Sequence, residues 1–253
     1  MAVEITVSFT PVEFESLRHN DLSETCCVVF DVLRATSTIV TALANGAAGV
    51  KPVTEIAEAL SLRRQHPDAL LAGERQGLRI SAALTDGIEF DLGNSPREYT
   101  PERVAGRNII ITTTNGTRAL QACRMAQQVA VGSFLNLTAT VRWAVQTQMK
   151  RLALVCAGTG EEAALEDTLA AGAFCDAMAS VGLDSSLSDS AEIALRAYHH
   201  SQHDLATALS GASNARRLRA NADLRTDVET CLRRDVHGLA AVLCPDGLIR
   251  TSA

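Results

Sequence analysis

Residues 28–43 read VVFDVLRATSTIVTAL, setting one acid (Asp31), one base (Arg34) and three hydroxyls (Thr36, Ser37, Thr38) between two apolar runs. The same kind of transition recurs at IIITTTNGTRAL, with Thr112, Thr113, Thr114 and Thr117, and at LALVCAGTGEEAALEDTLAAG, with Glu166 and Asp167. An apolar run that breaks into polar residues opening a helical pattern marks a strand feeding a helix N-terminus. Unpaired N–H groups and the positive end of the helix dipole there favour phosphate or another anion. Taken singly, each hydroxyl reads as an ordinary N-cap. Three such ends in one sheet point to a shared anion site.

Acids accompany these hydroxyls. Asp31 ends its strand, Glu74 follows LLAG, Asp91 sits in FDLGNSP, and Glu166 with Asp167 opens a helix. Carboxylates gathered around an anion would repel it unless a divalent cation lies between them. Mg²⁺ takes one or two carboxylates together with waters and phosphate oxygens. Arg34, Arg75, Arg97 and Arg118 stand beside the same motifs, and a guanidinium forks onto phosphate, carboxylate or sulfonate oxygens. The chemistry that unites acids, arginines and hydroxyls is a magnesium-assisted phosphoryl site. Asp31, Arg34 and the hydroxyls then read as cation ligand, anion clamp and helix cap.

Other phosphate chemistries do not fit the letters. The P-loop spacing GxxxxGK[ST] is absent. A haloacid-dehalogenase pattern needs a second acid where Leu33 stands, and a cysteine phosphatase needs arginine where Glu162 follows Cys156. CAGTGEE lacks the third glycine of a dinucleotide fingerprint. Cys156 reads first as a buried strand cysteine. His199, His200 and His203 lie in a polar helix and read as exposed rather than as a metal cluster.

Behind these motifs the apolar patterning predicts strands at 3–9, 26–30, 49–53, 69–73, 108–112, 128–132 and 152–156. Helices are expected between them at 36–45, 54–65, 116–125, 136–149 and 166–181. Such alternation predicts βαβ crossovers and a largely parallel sheet with helices on both faces, a three-layer α/β/α protein. Ligands in such sheets bind beyond the carboxyl ends of the strands. From Asp189 to Arg234 the chain reads as mostly helical, and 239–243 with 247–250 as a short strand pair turning at PDG. Arg216, Arg217, Arg219, Arg225, Arg233 and Arg234 read as a solvated face balanced by Asp223, Asp227 and Glu229. The whole chain, 1–253, is expected to form one α/β domain, with sub-lobes at 1–185 and 186–253.

Composition narrows the function classes. The 253 residues are 47% hydrophobic and 21% charged, with a formal net charge of -6. That balance gives no support to a nucleic-acid partner, and one Trp, two Tyr and six Phe offer little for base stacking. Seven cysteines without CxxC or Cys/His ligand spacing suit reduced thiols. MAVEITVSFT does not read as a signal peptide, and no apolar run approaches the ~18 residues of a membrane span. The expectation is a cytoplasmic protein acting on a small anionic phosphorylated substrate, away from membranes, with a homo-oligomer left open.

Together, DVLRATSTIVTAL, GER, FDLGNSPREY, TTTNGTRAL and CAGT…EDTLAAGA resemble the 2-phosphosulfolactate phosphatase family, which supplies the second enzyme of a coenzyme M route. The resemblance implies a three-layer α/β/α fold and a Mg²⁺-dependent phosphatase that converts 2-phospho-3-sulfolactate to 3-sulfolactate. By motif it implies Asp31, Arg34 and Asp167 as catalytic, and Asp31, Glu74, Asp91 and Glu166 as Mg²⁺ ligands. Thr36, Asn94, Ser95, Thr114, Asn115, Gly116 and Cys156 follow as substrate-binding residues. The sequence departs from the family pattern at Gln76, where glycine is expected, and in the polar stretch SAALTDGIE. Either Asp31 attacks phosphorus directly or a carboxylate orients a metal-bound water, and the letters do not choose. A binding module for a phosphorylated or sulfonated metabolite is the competing reading; it would need the arginines and hydroxyls but not the acids.

Overall fold

The computed structural model describes residues 2–182 and 184–252. In chain order the first half comprises β1 (Val3–Ser8), α1 (Pro11–Ser16), β2 (Thr25–Phe30), α2 (Ala35–Ala44), β3 (Gly49–Val53), α3 (Ile56–Gln65), β4 (Leu70–Arg75), β5 (Leu78–Arg79), α4 (Pro101–Val104), β6 (Asn108–Thr112) and α5 (Gly116–Ala122). The second half comprises β7 (Gln128–Gly132), α6 (Leu137–Gln146), β8 (Arg151–Cys156), α7 (Leu165–Ser180), β9 (Ser185–Leu187), α8 (Asp189–Ser201), α9 (Leu205–Ala208), α10 (Ser213–Arg219), α11 (Arg225–Cys231), β10 (Ala241–Leu243) and β11 (Ile249–Thr251).

One sheet runs β5-β4-β6-β3-β11-β10-β7-β2-β8-β1-β9. It is largely parallel, in two blocks: β4-β6-β3 on one side and β7-β2-β8-β1-β9 on the other. Alternate residues of the central strands feed two cores. Cys26, Val28 and Phe30 of β2 pack with Leu152 and Leu154 of β8 and with α6, α7 and α8. Cys27 and Val29 face the other way, toward Ile39 and Val40 of α2 and Leu120 of α5. Burial on both faces is why β2 reads as an unbroken apolar run.

Helix α2 forms against its local preference. ATSTIVTALA is rich in β-branched residues, which cost up to ~0.7 kcal/mol each relative to Ala in a helix. Burial of Ile39, Val40 and Leu43 returns roughly 1.5–3 kcal/mol per side chain. Packing wins.

The two parallel blocks are joined by the hairpin β10–β11, and the pairings β3–β11, β11–β10 and β10–β7 are all antiparallel. Three reversals would send the carboxyl ends of the blocks to opposite rims of a flat sheet. Instead α5 packs on both β2 and β3, and Gly116 beyond β6 lies against Asp31 beyond β2. The sheet therefore coils sharply through the hairpin, a strong form of the usual twist of about 20–25° per strand pair. It wraps α2 and α5 on its concave side and brings both sets of strand ends together.

Candidate active site

A cavity of about 500 Å³ opens where these ends meet, within the ~300–1,000 Å³ range of small-molecule sites. Its walls come from the β2–α2 junction (Asp31, Leu33, Arg34), the β4–β5 turn (Glu74 to Gly77), Asn94, the β6–α5 junction (Thr114, Asn115), the β8–α7 loop (Gly158 to Gly160), and Asn214 and Arg217 of α10.

Asp31 is partly exposed. Its Oδ1 accepts from the Ala35 N–H at 3.0 Å, so one carboxylate oxygen caps α2. Among the described residues no donor reaches Oδ2, which lies against Gly116: a β-carbon there would lie 2.5 Å from it. Glycine at 116 is what lets the β6–α5 junction close on the carboxylate. Burial, then the negative charges of Glu74 and Glu166, push the Asp31 carboxyl up to about 6, against the lowering effect of the Ala35 N–H and Arg34.

The hydroxyls that follow mostly serve the backbone. Thr36 Oγ1 accepts from the Asp31 N–H at 3.0 Å, Ser37 donates to the Val32 carbonyl at 2.8 Å, and Thr38 donates to the Asn94 carbonyl at 2.9 Å. All three are buried. They shape the turn that presents Asp31 and Arg34.

Arg34 is only 3% exposed. Its Nη1 donates to Asp227 Oδ2 at 2.7 Å and its Nη2 to the Gly77 carbonyl at 2.6 Å. Asp227, fully buried on α11, also accepts from Ser95 Oγ and Arg97 Nε, each at 2.7 Å. Glu74 is tied on both oxygens: Oε2 accepts from the Gly77 N–H at 2.7 Å, and Oε1 from the N–H and hydroxyl of Thr114 at 2.8 and 2.9 Å. Arg75 donates to the carbonyls of Glu74 and Thr54 and to Thr112 Oγ1. Asn115 Nδ2 donates to the carbonyls of Ala157 and Gly160, linking the β6–α5 junction to the β8–α7 loop.

Behind the cavity wall lies a second pair of acids. Asp167 accepts from the N–H groups of Val32 and Gly158 at 2.8 and 3.1 Å, stapling the β2 and β8 exits together. Burial first, then the charges of Asp31 and Glu166, push its carboxyl well above the usual range. Burial raises Glu166 too, against the hydrogen bond it accepts from Asn214.

The polar atom Asn94 Oδ1 is buried without a hydrogen-bond partner, on a residue that lines the cavity. Asn94 Oδ1 and Asp31 Oδ2 are thus two oxygen acceptors that no donor among the described residues satisfies. Hard oxygen donors without N–H partners fit a cation such as Mg²⁺.

The family model described as 2-phosphosulpholactate phosphatase matches residues 12–244. The chain belongs to that family. A protein of Caldanaerobacter subterraneus named probable 2-phosphosulfolactate phosphatase is 38% identical over 241 residues, covering 94% of this chain and 95% of its own length. A protein of Thermotoga petrophila with the same name is 40% identical over 209 residues, covering 83% of this chain and 85% of its own. One of Symbiobacterium thermophilum, again so named, is 46% identical over 161 residues, covering 63% and 66%.

Of the positions that the 2-phosphosulfolactate phosphatase resemblance singles out, the structure brings Asp31, Arg34, Glu74, Asn94, Thr114 and Asn115 to one cavity, with Gly116 directly behind Asp31. Thr36, Ser95 and Asp167 stand around it with their polar atoms turned to protein partners, as described above, and Glu166 has its Oε1 tied to Asn214. Cys156 is fully buried at the end of β8, where burial and then the Asp167 charge push its thiol well up. Asp91 stands apart. Its Oδ2 accepts from the Leu71 N–H at 2.8 Å and meets Arg63 Nη1 at 3.3 Å, and it does not line the cavity. Among the described residues no group of three or more His, Cys, Asp or Glu is arranged around a metal position, so the four expected carboxylates do not form one ligand cluster.

Three residues of the C-terminal helices were not expected at the site: Asn214, Arg217 and Asp227. Arg217 and Asp227 read in the sequence as parts of a solvated face; Asp227 is instead fully buried and Arg217 lines the cavity. Their local pattern carries no strand-to-helix signal, so only the tertiary fold reveals them. His199, His200 and His203 are exposed. No helix of the described residues is long and apolar enough to cross a membrane.

Proposed function

We propose that the protein is a Mg²⁺-dependent phosphomonoesterase that hydrolyses 2-phospho-3-sulfolactate, or a closely similar phosphorylated hydroxy-acid, to the hydroxy-acid and phosphate. One observation carries this reading beyond the family: two carboxylates, Asp31 and Glu74, share a single cavity with three arginines, Arg34, Arg75 and Arg217. Arginines alone would suit an anion receptor. Acids placed among them suit a site that also takes a cation and performs chemistry.

In this reading Asp31 and Asn94, with Glu74, are the residues that would hold Mg²⁺. The ion, when bound, supplies charge neutralisation and polarisation of the phosphoryl group. Arg34, fixed by Asp227 and the Gly77 carbonyl, and Arg75 hold phosphoryl oxygens as charge develops on them. Asp31 is the carboxylate that works at phosphorus. Asp167 keeps the β2 and β8 exits in register through its two backbone hydrogen bonds.

Phosphate release from 2-phospho-3-sulfolactate, with and without Mg²⁺ after exhaustive EDTA treatment, tests the proposal. Release should require the metal and should exceed any phosphodiester cleavage. Release that survives chelation, with no metal retained by elemental analysis, would refute the metal dependence. Binding without release under any metal would favour the receptor instead.

A further inference from the structure

The three cavity arginines are not equivalent. Arg34 has its charge matched by Asp227 at 2.7 Å, and Arg75 is spread over two carbonyls and a threonine hydroxyl. Arg217 is exposed and lines the cavity, and among the described residues it forms no ion pair. Its one hydrogen bond runs from Nη2 to Asn214 Oδ1 at 2.8 Å. The remaining N–H groups of its fork have no acceptor among the described residues.

That single bond is well anchored. Asn214 is 6% exposed, and its Nδ2 donates to Thr159 Oγ1 at 2.6 Å and to Glu166 Oε1 at 2.7 Å. Two acceptors on the amide nitrogen fix the amide's orientation and leave Oδ1 to receive Arg217. The guanidinium also packs beside Gly77, where a β-carbon would lie 3.5 Å from Arg217 Nε. The Gly77 carbonyl in turn accepts from Arg34. Arg217 therefore reaches the cavity from α10, across the β4–β5 turn from Arg34, as an oriented cation with no ion pair among the described residues; the Glu166 carboxylate feels its charge but is joined to it only through Asn214.

The proposed substrate bears a carboxylate and a sulfonate besides its phosphate, and each needs a counter-charge of its own. A planar fork matches the oxygens of a carboxylate or sulfonate. We propose that Arg217, oriented by Asn214, is the specificity-determining residue that binds one of the non-transferred anionic groups of the substrate, its carboxylate or its sulfonate. The inference rests on the hydrolytic reading for its substrate class, but not on turnover.

Calorimetric titration of the wild-type protein and Arg217→Ala with 3-sulfolactate, lactate and inorganic phosphate tests it. The ratio of 3-sulfolactate affinity to phosphate affinity should fall roughly tenfold to a hundredfold in the variant, as for loss of a charged hydrogen bond. A parallel fall in the lactate ratio assigns the contact to the carboxylate; an unchanged lactate ratio assigns it to the sulfonate. Arg217→Lys, which keeps charge but not the fork, should fall between, and it carries the test if the alanine variant does not melt as a folded protein. An unchanged 3-sulfolactate ratio overturns the assignment, whether both ligands weaken equally or neither does. If the wild type releases no phosphate yet the ratio falls, the hydrolytic reading fails and Arg217 keeps its role. If phosphate is released and the ratio holds, Arg217 alone is wrong.

Discussion

At Asp31, burial and the charges of Glu74 and Glu166 push the carboxyl up to about 6. An unfolded chain releases that proton at about pH 3.9. Between the two values the folded protein binds the extra proton, so Asp31 adds stability at low pH that is lost as pH rises through 6. Glu166 and Asp167 are raised as well and act in the same sense. In EDTA, the melting temperature should therefore gain from these groups as pH falls from about 7 toward 5. Asp31→Asn should weaken that trend and raise stability at neutral pH by on the order of 1 kcal/mol, while turnover drops at least roughly a hundredfold. Melting and turnover on one preparation decide it: an active, less stable variant would leave Asp31 as no more than the cap of α2. At this scale the sequence showed which residue types stand at the strand ends, but not where their side chains turn. Asp31, Glu74, Asn94, Thr114 and Asn115 turn to the cavity, whereas Thr36 and Asp167, from the same motifs, turn to backbone N–H groups. Arg217 and Asp227 lie on seven-residue helices whose letters match those of a solvated surface.

The elements that were legible are those whose burial writes a period into the chain. β2, β6 and β8 stand where apolar runs predicted them, because both of their faces are covered. Strands β5 and β9 span two and three residues, too few to show an alternation. The coil of the sheet was hidden for another reason: β10 and β11 pair with β7 and β3, contacts between distant segments that no local pattern records. The β4–β5 turn explains the departure at Gln76. Arg75 pairs with Leu78, and both residues between them have positive φ, 55° at Gln76 and 80° at Gly77, the geometry of a type I′ turn. Glycine suits either place, and a left-handed conformation costs other residues about 1–2 kcal/mol. Gln76→Gly relieves that cost but loosens the unfolded chain by about 0.4–1 kcal/mol, so stability should rise slightly or stay level. Gly77→Val forces a β-branched residue to positive φ and should lose at least ~1 kcal/mol. Denaturant unfolding of the two variants checks the pair; a destabilised Gln76→Gly would mean that the glutamine side chain makes a contact outweighing its strained backbone.

At the scale of the molecule, the C-terminal third reaches the cavity by two routes, Arg217 from α10 and Asp227 from α11. Asp227 lies behind the cavity wall and reaches the site through Arg34. From one fully buried carboxylate it holds Arg34 of the β2–α2 junction, and Ser95 and Arg97 of the segment after β5. Those groups belong to opposite parallel blocks of the coiled sheet, which Asn115 also links at this rim through the carbonyls of Ala157 and Gly160. Removing the charge from Asp227 strands the Arg34 guanidinium, itself 3% exposed, in a low-dielectric environment. Breaking a buried pair in this way costs roughly 3–5 kcal/mol, whereas replacing both partners with apolar groups of similar volume is often near neutral. Asp227→Asn should accordingly lower unfolding free energy by about that amount, and Arg34→Met combined with Asp227→Leu should recover most of the loss. Arg97 is 40% exposed at its side chain and can turn to solvent when its partner goes. The double variant should nevertheless be inactive, because it lacks the arginine proposed to hold the phosphoryl group. Stability regained without activity separates the pair's two tasks. A single Asp227→Asn variant that unfolds within ~1 kcal/mol of the wild type, the scale of an exposed ion pair, would show that α11 rests on the cavity without fastening it.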